Sequence, residues 1–153
     1  SKAGCSPVAA GNYGSPAVVC DAGFICPPGS SAADISIPPG WFSASTGVSA
    51  FSDSVLTLCP AGKFCAAGSI TTGNDCDAGY YCSAGTVFQY DTPCDFGQTS
   101  TAGAGAYGDC SACTDGEFCR QGLTAPLTDG SYCGSDNFLC IGGNLKRTIC
   151  ADG

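Results

Sequence analysis

Histidine and methionine are absent from the 153-residue chain, tryptophan occurs once, and Lys and Arg together number 5. Each scarcity excludes a class of function. Without histidine the chain lacks the commonest general base, proton shuttle and zinc ligand. Lys2, Lys63 and Lys146 sit in no recognisable nucleophile motif, so the expectation is a protein that is not an enzyme and that holds no metal and no cofactor. Asp and Glu total 13, giving a formal charge of -8. Such a chain repels phosphate backbones and releases no counterions from them, which argues against nucleic acid as a partner. No apolar run approaches the roughly 18 residues of a membrane-spanning helix, and no membrane span is expected. Charged residues make up 12% of the chain, about half the usual share. A surface so poorly charged suits packing against copies of itself. No Asn-x-Ser/Thr acceptor is present, which leaves O-linked sugars on the plentiful Ser and Thr. The chain opens Ser1-Lys2-Ala3-Gly4 with no Met, as expected of a fragment or of a mature product whose signal peptide has been removed.

Cysteine and glycine are abundant, at 14 and 23 residues, with 9 Pro. Cysteine near 9% in a short chain marks a disulfide scaffold, which persists in an oxidising compartment. The expected fold is small and disulfide-rich, mostly irregular with short β-strands and hairpins, its tandem modules forming an elongated array; the expected location is extracellular, secreted or at the cell surface.

One unit, Cys-x2-Gly-x2-Cys-x2-Gly, recurs four times: Cys20-Asp-Ala-Gly23-Phe-Ile-Cys26-Pro-Pro-Gly29, Cys59-Pro-Ala-Gly62-Lys-Phe-Cys65-Ala-Ala-Gly68, Cys76-Asp-Ala-Gly79-Tyr-Tyr-Cys82-Ser-Ala-Gly85 and Cys113-Thr-Asp-Gly116-Glu-Phe-Cys119-Arg-Gln-Gly122. A looser copy joins Cys133 and Cys140, and Cys150-Ala-Asp-Gly153 reads as the opening of another. Glycine three after cysteine (Gly23, Gly62, Gly79, Gly97, Gly116) permits positive φ and a tight turn beside sulfur. Phe24, Phe64, Tyr80, Tyr81 and Phe118 precede second cysteines and are placed to shield the bridges. The organisation reads as an N-terminal cysteine-rich segment 1–26, an insertion 27–58 with short strands, two tandem modules over 59–94 and C-terminal modules over 94–153. Strands are expected within residues 17–20, 54–59 and 86–90, and an irregular loop over 99–108. In the insertion, Ile35, Ile37, Val48, Val55, Leu56 and Leu58 alternate loosely around Trp41, Phe42 and Phe51. Trp41 and Phe42 either form a local mini-core or anchor an intermolecular contact, and Phe51 joins them as a candidate interface residue.

The stretch Cys94-Asp-Phe-Gly97, through Gly103 to Asp109-Cys110-Ser-Ala-Cys113-Thr-Asp-Gly116-Glu-Phe-Cys119, resembles the ephrin-receptor-type cysteine-rich repeat. That repeat is similar to modules of tumour-necrosis-factor receptors and, in tandem, to protist surface antigens and mastigoneme proteins. The resemblance spans roughly residues 20–140 and implies an extracellular, disulfide-bonded array.

Three pairing registers are open. A nearest-neighbour register joins Cys20 to Cys26, Cys59 to Cys65, Cys76 to Cys82, Cys94 to Cys110, Cys113 to Cys119 and Cys133 to Cys140, leaving Cys5 and Cys150. A second joins each unit's second cysteine to the next unit's first. A third crosses the pairs as in receptor modules, for example Cys113 with Cys133 and Cys119 with Cys140. The first is preferred. By the loop-entropy relation a seven-residue loop contributes about 2.4 kcal/mol, so seven bridges supply on the order of 15 to 20 kcal/mol.

Cys110-Ser-Ala-Cys113 superficially matches a redox or metal dithiol, but in an oxidised protein these sulfurs end one module and begin the next. Asn74, Asp75 and Asp77 offer oxygens to calcium at a spacing that matches no calcium loop, and Lys146-Arg147 reads as a solvated loop. Two functions remain. One is an extracellular structural subunit that self-associates into a filament or surface coat, its partner being copies of itself. The alternative is a receptor ectodomain or surface antigen that binds another extracellular protein or a glycan.

Overall fold

Glycine in the left-handed region shapes each repeat whose turn is described. The computed structural model describes residues 6–52, 54–114, 119–122, 138–139 and 148–149. In it, Gly23, Gly62, Gly79 and Gly97 have φ of 87°, 83°, 81° and 77°. Each is the third residue of a turn closed by a backbone hydrogen bond: Phe24 N–H donates to Asp21 O, Lys63 to Pro60, Tyr80 to Asp77 and Gln98 to Asp95. A side chain at that third position would be strained, and glycine occupies it freely. A second turn follows the second cysteine. There Ser30, Ser69 and Thr86 donate both backbone N–H and side-chain hydroxyl to the carbonyls of Pro27, Ala66 and Ser83.

The two residues after the first turn form one strand of a hairpin, and its partner strand runs up to the next repeat. These pairs are β1 (Asn12–Tyr13) with β2 (Val18–Val19) and β3 (Phe24–Ile25) with β4 (Ile35–Ser36). They continue with β5 (Trp41–Phe42) and β6 (Thr57–Leu58), then β7 (Lys63–Phe64) and β8 (Asn74–Asp75). The rest are β9 (Tyr80–Tyr81) with β10 (Thr92–Pro93), β11 (Gln98–Thr99) with β12 (Ser111–Ala112), and β13 (Phe138–Leu139) with β14 (Thr148–Ile149). All are antiparallel, and each sheet has two strands. Isolated two-stranded ribbons are marginal in water, so the disulfides and inter-repeat hydrogen bonds must hold them.

The chain divides into two compact units, the first comprising residues 1–59 and 65–73 and the second 60–64 and 74–153. Within the first unit, Cys20 N–H donates to Gly11 O and Gly11 N–H to Cys26 O; Cys59 N–H donates to Gly40 O and Gly40 N–H to Cys65 O. Within the second, Cys76 and Gly62 relate in the same way through Cys82, Cys94 and Gly79 through Ser100, and Cys113 and Gly97 through Cys119. Each of these repeats is therefore pinned to its successor by a pair of backbone hydrogen bonds, while the Cys20–Cys26 repeat meets the next through Ile37 N–H donating to Gly23 O.

That pattern reveals repeats that carry no bridge of their own. Ile37-Pro-Pro-Gly40-Trp-Phe-Ser43 and Val8-Ala-Ala-Gly11-Asn-Tyr-Gly14 have the same turn and the same hydrogen bonds to the next repeat. The segment 27–58 does contain short strands, and it holds a full repeat in which Ile37 and Ser43 stand at the cysteine positions. Ile37 is 0% and Ser43 2% exposed. Around Ile37 gather Ile25, Val48 and Leu56, with Trp41 packed against them. Of the two residues expected to form a local mini-core, Trp41 packs on this aliphatic cluster and Phe42, half-buried, is not among its members.

Strands occur within 17–20 and 54–59 as expected. Residues 86–90 form no strand, because Thr86 is committed to the turn on Ser83 and Gln89 O accepts from Asp77 N–H. The expected loop over 99–108 is also partly ordered. Thr99 lies in β11, and Tyr107–Asp109 makes one 3-10 turn, its start capped by the Asp109 carboxylate, which accepts from the N–H groups of Gly105 and Ala106 at 2.8 and 3.0 Å.

Candidate functional site

Cysteines six apart flank a turn that brings their Cα atoms within bridging range. Cys20 bonds Cys26, Cys59 bonds Cys65 and Cys76 bonds Cys82, with Cα separations of 5.9, 5.9 and 6.0 Å. Cys94 bonds Cys110 at 5.7 Å and Cys113 bonds Cys119 at 6.4 Å. The nearest-neighbour register therefore holds for these ten, and both the inter-unit and crossed registers are excluded for them. Cys5, Cys133, Cys140, Cys150, Gly116 and Phe118, and the pair Lys146-Arg147, lie outside the described residues. Cys110 and Cys113 belong to separate bridges, so they form no dithiol.

Cys94 departs from the six-residue rule because Ser100 stands where its partner would be. Ser100 is buried and its hydroxyl donates to Tyr80 O at 2.8 Å. The longer bridge to Cys110 then closes the loop that carries the 3-10 turn.

The turn glycines also allow close backbone approach. A Cβ on Gly62 would collide with the carbonyl oxygen of Gly103, and one on Gly11 with that of Gly47; on Gly23 it would lie 2.6 Å from Gly68 O. Glycine at these positions is demanded twice over, by φ and by space.

Of the oxygens considered for calcium, the Asp75 carboxylate pairs with Lys63 Nζ at 2.7 Å. Among the described residues no cluster of three or more His, Cys, Asp or Glu could hold a metal, no pocket opens, and no helix is long and apolar enough to cross a membrane.

What remains is surface. Trp41 on β5 stands opposite Leu58 on β6 and meets Phe51 edge to face, with ring centroids 5.2 Å apart. Trp41 and Phe42 are half-buried, while Phe51 is 49% and Leu58 41% exposed; Val55 is also exposed. In the second unit, Tyr80 packs on Tyr90 and Tyr81 on Tyr107, and Phe88 is 70% exposed. Tyr107 Oη donates to the Asp95 carboxylate at 2.8 Å. That hydrogen bond, helped by the aspartate's charge, raises the phenol above its ordinary pKa.

The class these features define is a small disulfide-rich hairpin-repeat protein, and its multiple bridges point to an extracellular or secreted one. Compared with known proteins, the chain matches no family model, no curated protein and no solved structure.

Proposed function

We propose that the chain is an extracellular structural protein, a disulfide-stabilised subunit that self-associates into a filament or surface coat. The observation that supports this reading is the backbone hydrogen bonding of repeat to repeat among the described residues, combined with apolar side chains left on the surface. A repeat of this kind buries its faces by stacking on its neighbours. No pocket opens among the described residues, which turns attention from small ligands to surfaces. The protein is expected at the cell surface or secreted, and the similarity to mastigoneme proteins and protist surface antigens belongs to the same proposal. Non-reducing gels and size exclusion test it: the reading expects concentration-dependent large particles, and a monomer at every concentration would refute it.

A recognition role is the second reading, favoured by the exposed Phe88, Tyr90, Phe96 and Tyr107 of the second unit, since exposed aromatics are frequent anchors for protein ligands.

A further inference from the structure

Cys94–Cys110 differs from the other described bridges in three ways. The others join cysteines 6 apart across a single turn, whereas this one joins cysteines 16 apart and closes over the 3-10 turn at Tyr107–Asp109. Every other cysteine in these bridges is at most 4% exposed, while Cys110 is only half-buried and lies between exposed Asp109 and Ser111. The place of a partner six residues after Cys94 is taken by Ser100, which is buried and bonded through its hydroxyl to Tyr80 O.

The repeat keeps its shape by other means. Cys94 N–H donates to Gly79 O, Gly79 N–H to Ser100 O, Cys113 N–H to Gly97 O and Gly97 N–H to Cys119 O, and β11 pairs with β12. Gly103 N–H donates to Cys76 O and Cys82 N–H to Ala104 O, so backbone bonds fix the chain as far as Ala104. The repeat at residues 8–14 has the same turn and the same bonds to its successor with no sulfur, and Val8 and Gly14 are only half-buried there. Without the bridge, residues 106–110 retain their local bonds, the Tyr81 ring against Tyr107, and the Tyr107 hydroxyl donating to Asp95.

Two effects compete over which bridge opens first. Loop entropy favours closure of the longer loop about fourfold more than that of a seven-residue loop. A thiolate must also reach sulfur, however, and a buried bridge waits for its repeat to open. Access outweighs the fourfold. We propose that Cys94–Cys110 is a thiol-exchange site, opened by an external thiol while the four turn bridges stay closed, and that its opening frees residues 106–110 without unfolding the repeat. In the exchange a thiolate attacks Cys110 Sγ; a new S–S bond forms as the Sγ–Sγ bond breaks, and Cys94 leaves as a thiolate that takes up a proton. A monothiol stays joined to Cys110. The second sulfur of a dithiol displaces Cys110 in turn, so the dithiol is oxidised and the bridge is reduced by two electrons and two protons.

Dithiothreitol added to the native, bridged protein tests this, at high salt to screen the Asp95 and Asp109 carboxylates adjoining the two cysteines. Samples are quenched with iodoacetamide at intervals, and alkylated cysteines are read by peptide mass spectrometry. Cys94 and Cys110 are expected to be alkylated about tenfold or more faster than the other eight. Once they are open, chymotrypsin is expected to cut after Tyr107 about tenfold faster, with cleavage after Phe51 unchanged. Equal rates across the five bridges, or a turn bridge opening first, would overturn the site. If opening Cys94–Cys110 made Cys76–Cys82 or Cys113–Cys119 reducible at the same rate, the independence of the repeat would be overturned. Unchanged cleavage after Tyr107 would overturn the release of residues 106–110.

Discussion

Ile37 and Ser43 stand six residues apart across a turn, both shielded from water, at the positions where Cys20 and Cys26 or Cys76 and Cys82 are bridged in their own repeats. One repeat thus trades its sulfur for oil, and it is the one that holds the aliphatic cluster of Ile25, Ile37, Val48 and Leu56. Elsewhere the bridges dominate. The five observed ones, four closing seven-residue loops and one a longer loop, contribute about 12 kcal/mol by loop entropy.

Ile37→Ala is therefore expected to lower stability by about 2 to 5 kcal/mol, as truncations in packed cores do. Chemical denaturation under non-reducing conditions reads this out. In the double substitution Ile37→Cys with Ser43→Cys the new thiols are expected to pair, leaving an intact mass two hydrogens lighter than the dithiol form; titratable free thiols would refute the structural equivalence.

Gly29 and Gly62 separate conformational strain from steric collision. Both have positive φ, but a Cβ on Gly29 meets nothing within 4 Å, whereas one on Gly62 strikes Gly103 O. Gly29→Ala should cost about 1 to 2 kcal/mol and Gly62→Ala more, because backbone must move. Equal costs, measured by denaturant midpoints, would contradict the packing described.

Much of this architecture is legible in sequence because the cysteine and glycine positions carry it: a Gly three after Cys requires the turn, and the turn brings cysteines six apart into range. The bridgeless repeats are harder to see, since Ile37-Pro-Pro-Gly40-Trp-Phe-Ser43 preserves only the glycine and the aromatic pair. Their invariant is a set of backbone hydrogen bonds, which any side chain can accompany. Residues 86–90 look like a strand by composition, yet the Thr86 hydroxyl is claimed by a local turn, a competition that propensity does not register. Phe51 is named by sequence only as a candidate interface residue, because its edge-to-face contact with Trp41 arises from the fold.

Tyr107 titrates as a consequence of one contact. Its hydrogen bond to Asp95 favours the neutral phenol, so the folded pKa exceeds the unfolded value near 10. The sign follows from linkage: the contribution is complete below the unfolded pKa and is lost as pH rises through the folded one. Ultraviolet titration should show a tyrosine ionising late, and Asp95→Asn should bring it down. No change in that variant would mean the contact is not populated.

Lys63 and Asp75 form an ion pair of the opposite kind, close but wet, with side chains 34% and 60% exposed. Lys63→Ala should change stability by less than about 1 kcal/mol, with salt diminishing even that. A larger loss in thermal unfolding would assign the lysine stem a packing role.

Disulfide mapping of the unreduced protein by peptide mass spectrometry reaches the central claim most directly. The account predicts Cys20 with Cys26, Cys59 with Cys65, Cys76 with Cys82, Cys94 with Cys110 and Cys113 with Cys119, each bridge closing its own loop. Peptides joining the second cysteine of one repeat to the first of the next, or free thiols at these ten positions, would contradict it.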